Sequence, residues 1–266
     1  MTLFMRTYFL LAATFLSTVV PACLAQEIRV AAAADLQFAL TGLAMQYEKQ
    51  SGTKVSIVFG SSGNFFAQLE NGAPFDVFFS ADSDYPRKLE AAGLTEPGTL
   101  AIYAKGRIAL WTSPGSSFDF EKNGLSTLLD PKIQKVAIAN PEHAPYGRAA
   151  VAALKQAGLY DQLKAKLVIG ENISQAAQFV QSGSAQAGIV ALSLALSPAM
   201  KDGHRWLVPE NLYPPLDQSV VILKSSANKS AAKAFLEFLR TPDAQSTLSR
   251  YGFTLPAGVA AKSTKS

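Results

Sequence analysis

The chain has 266 residues, 48% of them hydrophobic and 17% charged, with a formal net charge of +4. That composition excludes a fibre, a coiled coil or a mostly disordered chain, and the 24 Lys and Arg form no run of five that would mark a nucleic-acid footprint. One Cys excludes an intrachain disulfide, and two His with one Cys fall short of a His/Cys zinc site.

In chain order, the first predicted element is a targeting segment. Arg6 precedes the apolar run 8–16, Pro21 breaks it, and Ala22-Cys23-Leu24-Ala25 places small residues at −3 and −1 of a cleavage after Ala25. This predicts a secretory signal peptide over 1–25, since the apolar run is shorter than the ~20 residues of a membrane span. Cleavage there removes the only Cys, which suits an oxidising compartment. The competing reading makes Cys23 an acylated lipoprotein cysteine, a context that Pro21 fits poorly.

Ile28-Arg29-Val30-Ala31-Ala32-Ala33 reads as a buried strand, and Leu36, Leu40, Leu43 and Tyr47 then recur at helical spacing up to Ser51-Gly52. Val55-Ser56-Ile57-Val58-Phe59 is a strand, and a helix carrying Phe65, Phe66 and Leu69 ends at Asn71-Gly72. Strands follow at 76–79, 107–111 and 135–139, then a helix at 149–158, a strand at 167–169 and a helix at 174–180. Further strands at 188–191 and 219–223 precede a helix at 231–240 and a shorter one ending at Arg250. Such alternation predicts mostly parallel sheets with helices on both faces. The tail 257–266 lacks large apolar residues and is expected to fray. Loops at 112–124 and 208–215 bracket the middle third, which reads as a second lobe inserted into the first.

Four strand-to-helix junctions share one design: Ala34-Asp35, Gly60-Ser61-Ser62-Gly63, Pro145-Tyr146-Gly147 and Glu171-Asn172-Ile173-Ser174. In a parallel sheet such turns lie at the carboxyl edge of the strands, where ligands bind. Each helix start offers unpaired N–H groups and a positive dipole end, a latent anion site, although helix capping alone accounts for Asp, Ser and Asn there.

Enzyme motifs do not assemble. Ser51-Gly52-Thr53-Lys54 fits S-x-x-K, as do 226–229 and 230–233, without the accompanying K-T-G or S-D-N. Gly60-Ser61-Ser62-Gly63 misses G-x-S-x-G by one residue, and neither a Walker A nor a G-x-G-x-x-G segment occurs. His143 lies within reach of no recognisable triad with Ser62 and reads as a surface or hinge contact; His204 reads as surface. Asp82-Ser83-Asp84 reads as a helix start rather than a metal cluster with Asp76. Trp111 and the pairs Phe65-Phe66 and Phe78-Phe79 read as core.

The chain resembles the periplasmic molybdate-binding proteins of ABC importers, over about 28–256. The resemblance is carried by 30–36 (Val30-Ala31-Ala32-Ala33-Ala34-Asp35-Leu36), by Phe59-Gly60-Ser61-Ser62-Gly63-Asn64, by 71–82, by 140–147 (Asn140-Pro141-Glu142-His143-Ala144-Pro145-Tyr146-Gly147), by Ala187-Gly188-Ile189-Val190 and by 250–256. It implies a two-lobed α/β periplasmic binding protein fold of type II, each lobe a mixed, mostly parallel sheet flanked by helices. The lobes would divide as 26–108 and 218–256 for the first and 109–217 for the second. It further implies an oxyanion held between the lobes by uncharged donors: the hydroxyl and N–H of Ser62, and the backbone N–H groups of Tyr146, Ile173, Asp35 and Ala34.

Two positions depart from the family pattern. Asp35 stands where many relatives have serine, and Ala191 where many have a ligand-contacting tyrosine. An ionised Asp35 would repel molybdate, so its side chain is expected to cap its helix or pair with Arg148. The alternative is an altered specificity, with Asp35 accepting a hydrogen bond from hydrogen phosphate or arsenate. The expected protein is therefore a monomeric, non-enzymatic solute-binding protein of the periplasm. It needs no cofactor and no metal cation, contacts no nucleic acid, and delivers molybdate, and tungstate too, to a membrane permease. A secreted serine hydrolase acting through Ser62 and an adhesive lipoprotein are the readings from other classes.

Overall fold

A computed structural model of the chain describes residues 26–256. The signal-peptide reading, with Cys23, and the reading of the tail lie outside the described residues. The first stretch runs β1 (Glu27–Ala33), α1 (Gln37–Ser51), β2 (Lys54–Gly60), α2 (Ser62–Glu70), β3 (Val77–Ser80), α3 (Asp84–Ala91) and β4 (Ala101–Gly106). The second runs β5 (Ile108–Thr112), α4 (Phe120–Asn123), β6 (Val136–Ala139), α5 (Pro145–Gln156), α6 (Tyr160–Leu163), β7 (Leu167–Gly170), α7 (Ile173–Gln181), β8 (Ala187–Ala191), α8 (Leu192–Ala195) and β9 (His204–Leu207). The chain closes with β10 (Leu216–Ile222), α9 (Lys229–Leu239) and α10 (Pro242–Arg250).

These strands form two five-stranded sheets, ordered β2-β1-β3-β10-β4 and β7-β6-β8-β5-β9. In the first sheet β1 pairs in parallel with β2 and β3, while β10 runs antiparallel to β3 and β4. The second repeats the plan: β6 is parallel to β7 and β8, and β5 is antiparallel to β8 and β9. The parallel portion is thus the strand-helix part of each lobe, and the antiparallel portion is supplied by β5 and β10, the strands that follow the crossings between lobes.

Period-two burial explains the two-faced first sheet. Val30, Ala32 and Phe79 pack on one face with Leu40 and Phe235, while Ala31, Phe78 and Val221 pack on the other with Phe65 and Leu89. Trp111 is fully buried in the second lobe, its indole N–H donating to the Met200 carbonyl at 3.1 Å, so the core reading of these aromatics holds. Gly52 ends α1 at φ 72°, a left-handed conformation that only glycine adopts without strain, and its N–H closes the helix on the Glu48 carbonyl. Pro145 opens α5 in its first turn, so this helix begins four residues before the expected Ala149.

The lobes are joined by two crossings. Arg107 alone separates β4 from β5, and 208–215 separate β9 from β10. Glu210, in the second crossing, accepts from Lys105 Nζ at 2.7 Å and lies 3.3 Å from Arg107 Nε, tying both crossings together.

Candidate anion-binding site

The carboxyl ends of β1 and β2 in one lobe face those of β6 and β7 in the other. The turns that follow them, one per strand, line a single small cavity. Ala34, Asp35, Ser62, Tyr146 and Ile173 all stand on its wall, each at most 3% exposed. A larger cavity of about 270 Å³ lies against β4 and α9, but Phe79, Ile102, Val220 and Leu236 make its wall apolar, the wrong chemistry for an anion.

Ser62 and Ile173 are the first residues of α2 and α7, and Tyr146 is the second of α5. Their N–H groups have no carbonyl one turn back to accept them, and each sits at a positive dipole end. Local hydrogen bonds leave these donors for a ligand. At α7 the Asn172 carboxamide caps by accepting from Ser174 N and Gln175 N, one and two residues past Ile173. At α2 the cap residue Ser61 makes no side-chain cap: its hydroxyl donates to the His143 carbonyl at 2.6 Å. The Ser62 hydroxyl accepts the Ala81 N–H at 3.0 Å, which occupies a lone pair and leaves its proton to donate.

The expectation for Asp35 is corrected. Its Oδ2 accepts from the Tyr146 hydroxyl at 2.9 Å and from Gln218 Nε2, while Tyr103 donates to Gln218 Oε1 at 2.6 Å. Arg148 is not its partner; across the lobes the guanidinium pairs with Asp82, meets the Tyr85 hydroxyl at 3.2 Å and lies 5.3 Å from that ring's centroid. Asp35 is 1% exposed and its Oδ1 has no hydrogen-bond partner. Burial pushes its carboxyl up to about 7, against hydrogen bonds from Gln218 and Tyr146 that pull it down. With its hydroxyl spent on Asp35, Tyr146 presents only its N–H to the cavity.

The other candidates fall where their chemistry sends them. His143 is an interlobe contact: its carbonyl accepts Gly63 N–H at 2.9 Å and its Nδ1 lies 2.8 Å from Ser61 Oγ. His143 meets Ser61 and not Ser62, so the pairing of His143 with Ser62 as its base does not form. His204 is exposed on β9. Asp82 Oδ1 accepts from Tyr85 N at the start of α3, and Asp76 accepts from Arg29 N–H and the Ser226 hydroxyl. Among the described residues no group of three or more His, Cys, Asp or Glu could hold a metal. Ala191 ends β8 opposite Ile108 and is not on the cavity wall. Gln218 was not foreseen: it stands just before the apolar run Val220-Val221-Ile222, and only the fold shows it fully buried in β10.

Comparison with known proteins matches residues 28–254 to the family of bacterial extracellular solute-binding proteins. The molybdate-binding protein ModA of Rhodobacter capsulatus is 38% identical over 229 residues, covering 86% of this chain and 88% of that protein. ModA of Azotobacter vinelandii is 40% identical over 237 residues, covering 88% and 93%. The solved structure of the Azotobacter vinelandii periplasmic molybdate-binding protein superposes with a TM-score of 0.81 at 39% identity, covering 86% of this chain and 99% of that one.

Proposed function

The chain belongs to the family of bacterial extracellular solute-binding proteins, and on that premise we propose that it captures molybdate, and tungstate as well, between its lobes. The observation that carries the proposal is the convergence of four strand-to-helix turns, two from each lobe, on one cavity. Ser62 donates its hydroxyl and N–H, and Tyr146, Ile173, Asp35 and Ala34 offer backbone N–H groups. Oriented neutral donors hold a dianion without a cation that would trap it, and closure removes competing water. Sulfate has the same charge and shape with shorter bonds, so donors spaced for the longer bonds of molybdate would select against it. The protein turns nothing over: its work is binding and closure.

The lobes divide in this reading as 26–108 with 218–256, and 109–217. In support, the two sheets exchange at Arg107 and again between Leu207 and Leu216. The loaded monomer hands its anion to the membrane permease of an ABC importer. No helix among the described residues is long and apolar enough to cross a membrane, and the similarity to periplasmic relatives supports a periplasmic location.

Isothermal titration of the mature chain with molybdate, tungstate, sulfate and phosphate tests the reading. Heat from molybdate and tungstate alone is expected. Heat from phosphate with silence toward molybdate would replace the reading with a phosphate or arsenate protein read by Asp35.

A further inference from the structure

Asp35 presents an unusual half-satisfied carboxyl. Oδ2 accepts two hydrogen bonds, from the Tyr146 hydroxyl and from Gln218 Nε2, and so has both lone pairs in use. Oδ1 is buried and has none, although the residue lines the anion cavity. A buried oxygen without a partner is costly, and a native protein keeps one where a ligand completes it.

The groups packed around this carboxyl are all neutral. Tyr146 comes from α5, Gln218 from β10, and Tyr103 from β4 behind Gln218; Ser193 at α8 donates to the Asp35 carbonyl at 2.7 Å. Burial holds both tyrosines well above the usual phenol range, so they keep their protons. Arg148 is spent on Asp82. No cation therefore offsets an ionised Asp35, and a dianion in the cavity would face it directly. The same residue as a neutral acid has the opposite effect. With Oδ2 occupied as an acceptor, the proton sits on Oδ1, the atom left without a partner.

We propose that Asp35 enters the complex as a carboxylic acid whose Oδ1–H donates to an oxygen of the bound molybdate, so that capture of the anion is coupled to uptake of one proton. Asp35 is then a ligand-contacting residue through its side chain as well as its N–H. An O–H donor to an anionic oxygen is a short, charge-assisted hydrogen bond. It supplies what a serine hydroxyl supplies, with a dependence on pH that a serine lacks. Burial, which pushes the carboxyl up to about 7, sets that dependence near neutrality. The inference rests on the reading of the cavity as a molybdate site.

The test is isothermal titration of molybdate into the mature chain from pH 6 to pH 9, each pH in two buffers of different ionisation enthalpy. The dissociation constant is expected to rise about tenfold per pH unit above neutrality. The heats in the two buffers should differ by an uptake that approaches one proton at the upper end. Asp35→Asn, whose amide donates without titrating, is expected to lose the slope and the proton uptake. Flat wild-type affinity with no proton uptake would overturn the inference and leave molybdate capture standing. So would a slope unchanged in Asp35→Asn. Silence toward molybdate at every pH would overturn both. If the variant does not fold, the two-buffer measurement on the wild type decides alone.

Discussion

Gly63 sits where the two lobes meet, and adding one methyl group there should separate binding from folding. Its N–H donates to the His143 carbonyl of the opposite lobe at 2.9 Å. A Cβ on Gly63 would lie 2.6 Å from that carbonyl oxygen and 2.8 Å from His143 Cβ. It would also lie 2.6 Å from the Tyr85 hydroxyl, the end of a side chain that can swing aside. The carbonyl is backbone and cannot, so the approach must lengthen by about 0.8 Å before ordinary contact is restored. Overpacking of this kind costs about 1–3 kcal/mol. The clash with His143 exists only while the lobes are together, so Gly63→Ala is expected to weaken molybdate binding by about 5- to 150-fold. Ala is also the better helix former within α2, by about 1 kcal/mol relative to Gly. The melting temperature of the ligand-free protein should therefore hold or rise while the dissociation constant climbs. Titration calorimetry and thermal melts on the same preparation read both quantities. Wild-type affinity in Gly63→Ala would refute the reasoning, because closure would then not pass through this contact.

Ser62→Ala removes a hydroxyl donor to the anion and leaves the Ala81 N–H without its acceptor; a hydrogen bond to a charged group contributes about 1.5–3 kcal/mol, so titration should show affinity falling about 10- to 150-fold. Arg148→Met leaves Asp82 unpaired at the lobe interface, where burial already raises its carboxyl. Small-angle scattering should then show less contraction on addition of molybdate than in the wild type, and an unchanged contraction would remove this pair from closure. Asp35 also sets a pH dependence of stability. Its carboxyl is raised from 3.8 to about 7, so the folded protein holds a proton that the unfolded chain releases, and stability falls as pH rises from about 4 to about 7. The ceiling is about 4 kcal/mol, reached with the lobes closed and relieved in part by opening. Urea unfolding of the wild type against Asp35→Asn over that range should give diverging curves; parallel curves would show that Asp35 does not titrate there.

The parallel halves of both sheets were legible because their strands are short apolar runs followed at once by helix-start chemistry. Val136-Ala137-Ile138-Ala139 before Pro145, and Leu167-Val168-Ile169-Gly170 before Asn172, announce strand, turn and helix without any tertiary information. The strands β4 and β9 were not legible. Ala101–Gly106 alternates only weakly, and His204–Leu207 is a largely exposed edge strand whose pairing with β5, not its own pattern, makes it a strand. The same division holds in the site. The helix starts that carry Ser62, Tyr146 and Ile173 were legible because a helix start is a local property, while the choice of those three residues came with the family resemblance. The partners of Asp35 could not: Tyr146 lies 111 residues away and Gln218 lies 183 away, and only the meeting of the lobes brings them together. Arg148, two residues past Tyr146, was the plausible cation, yet its position on α5 directs it to Asp82 instead.

The placement of β10 bears on how the chain is made and folded. The strand lies between β3 and β4, so the first sheet remains split until residues 216–222 have emerged, whereas the second sheet uses only the contiguous stretch 108–207. The inserted lobe can thus assemble first from local pairings, and the amino-terminal lobe must wait for a strand supplied more than a hundred residues later. Throughout that interval the edges of β3 and β4 that β10 will occupy are open to any other extended chain, which makes the unfinished first lobe the species a chaperone would have to shield.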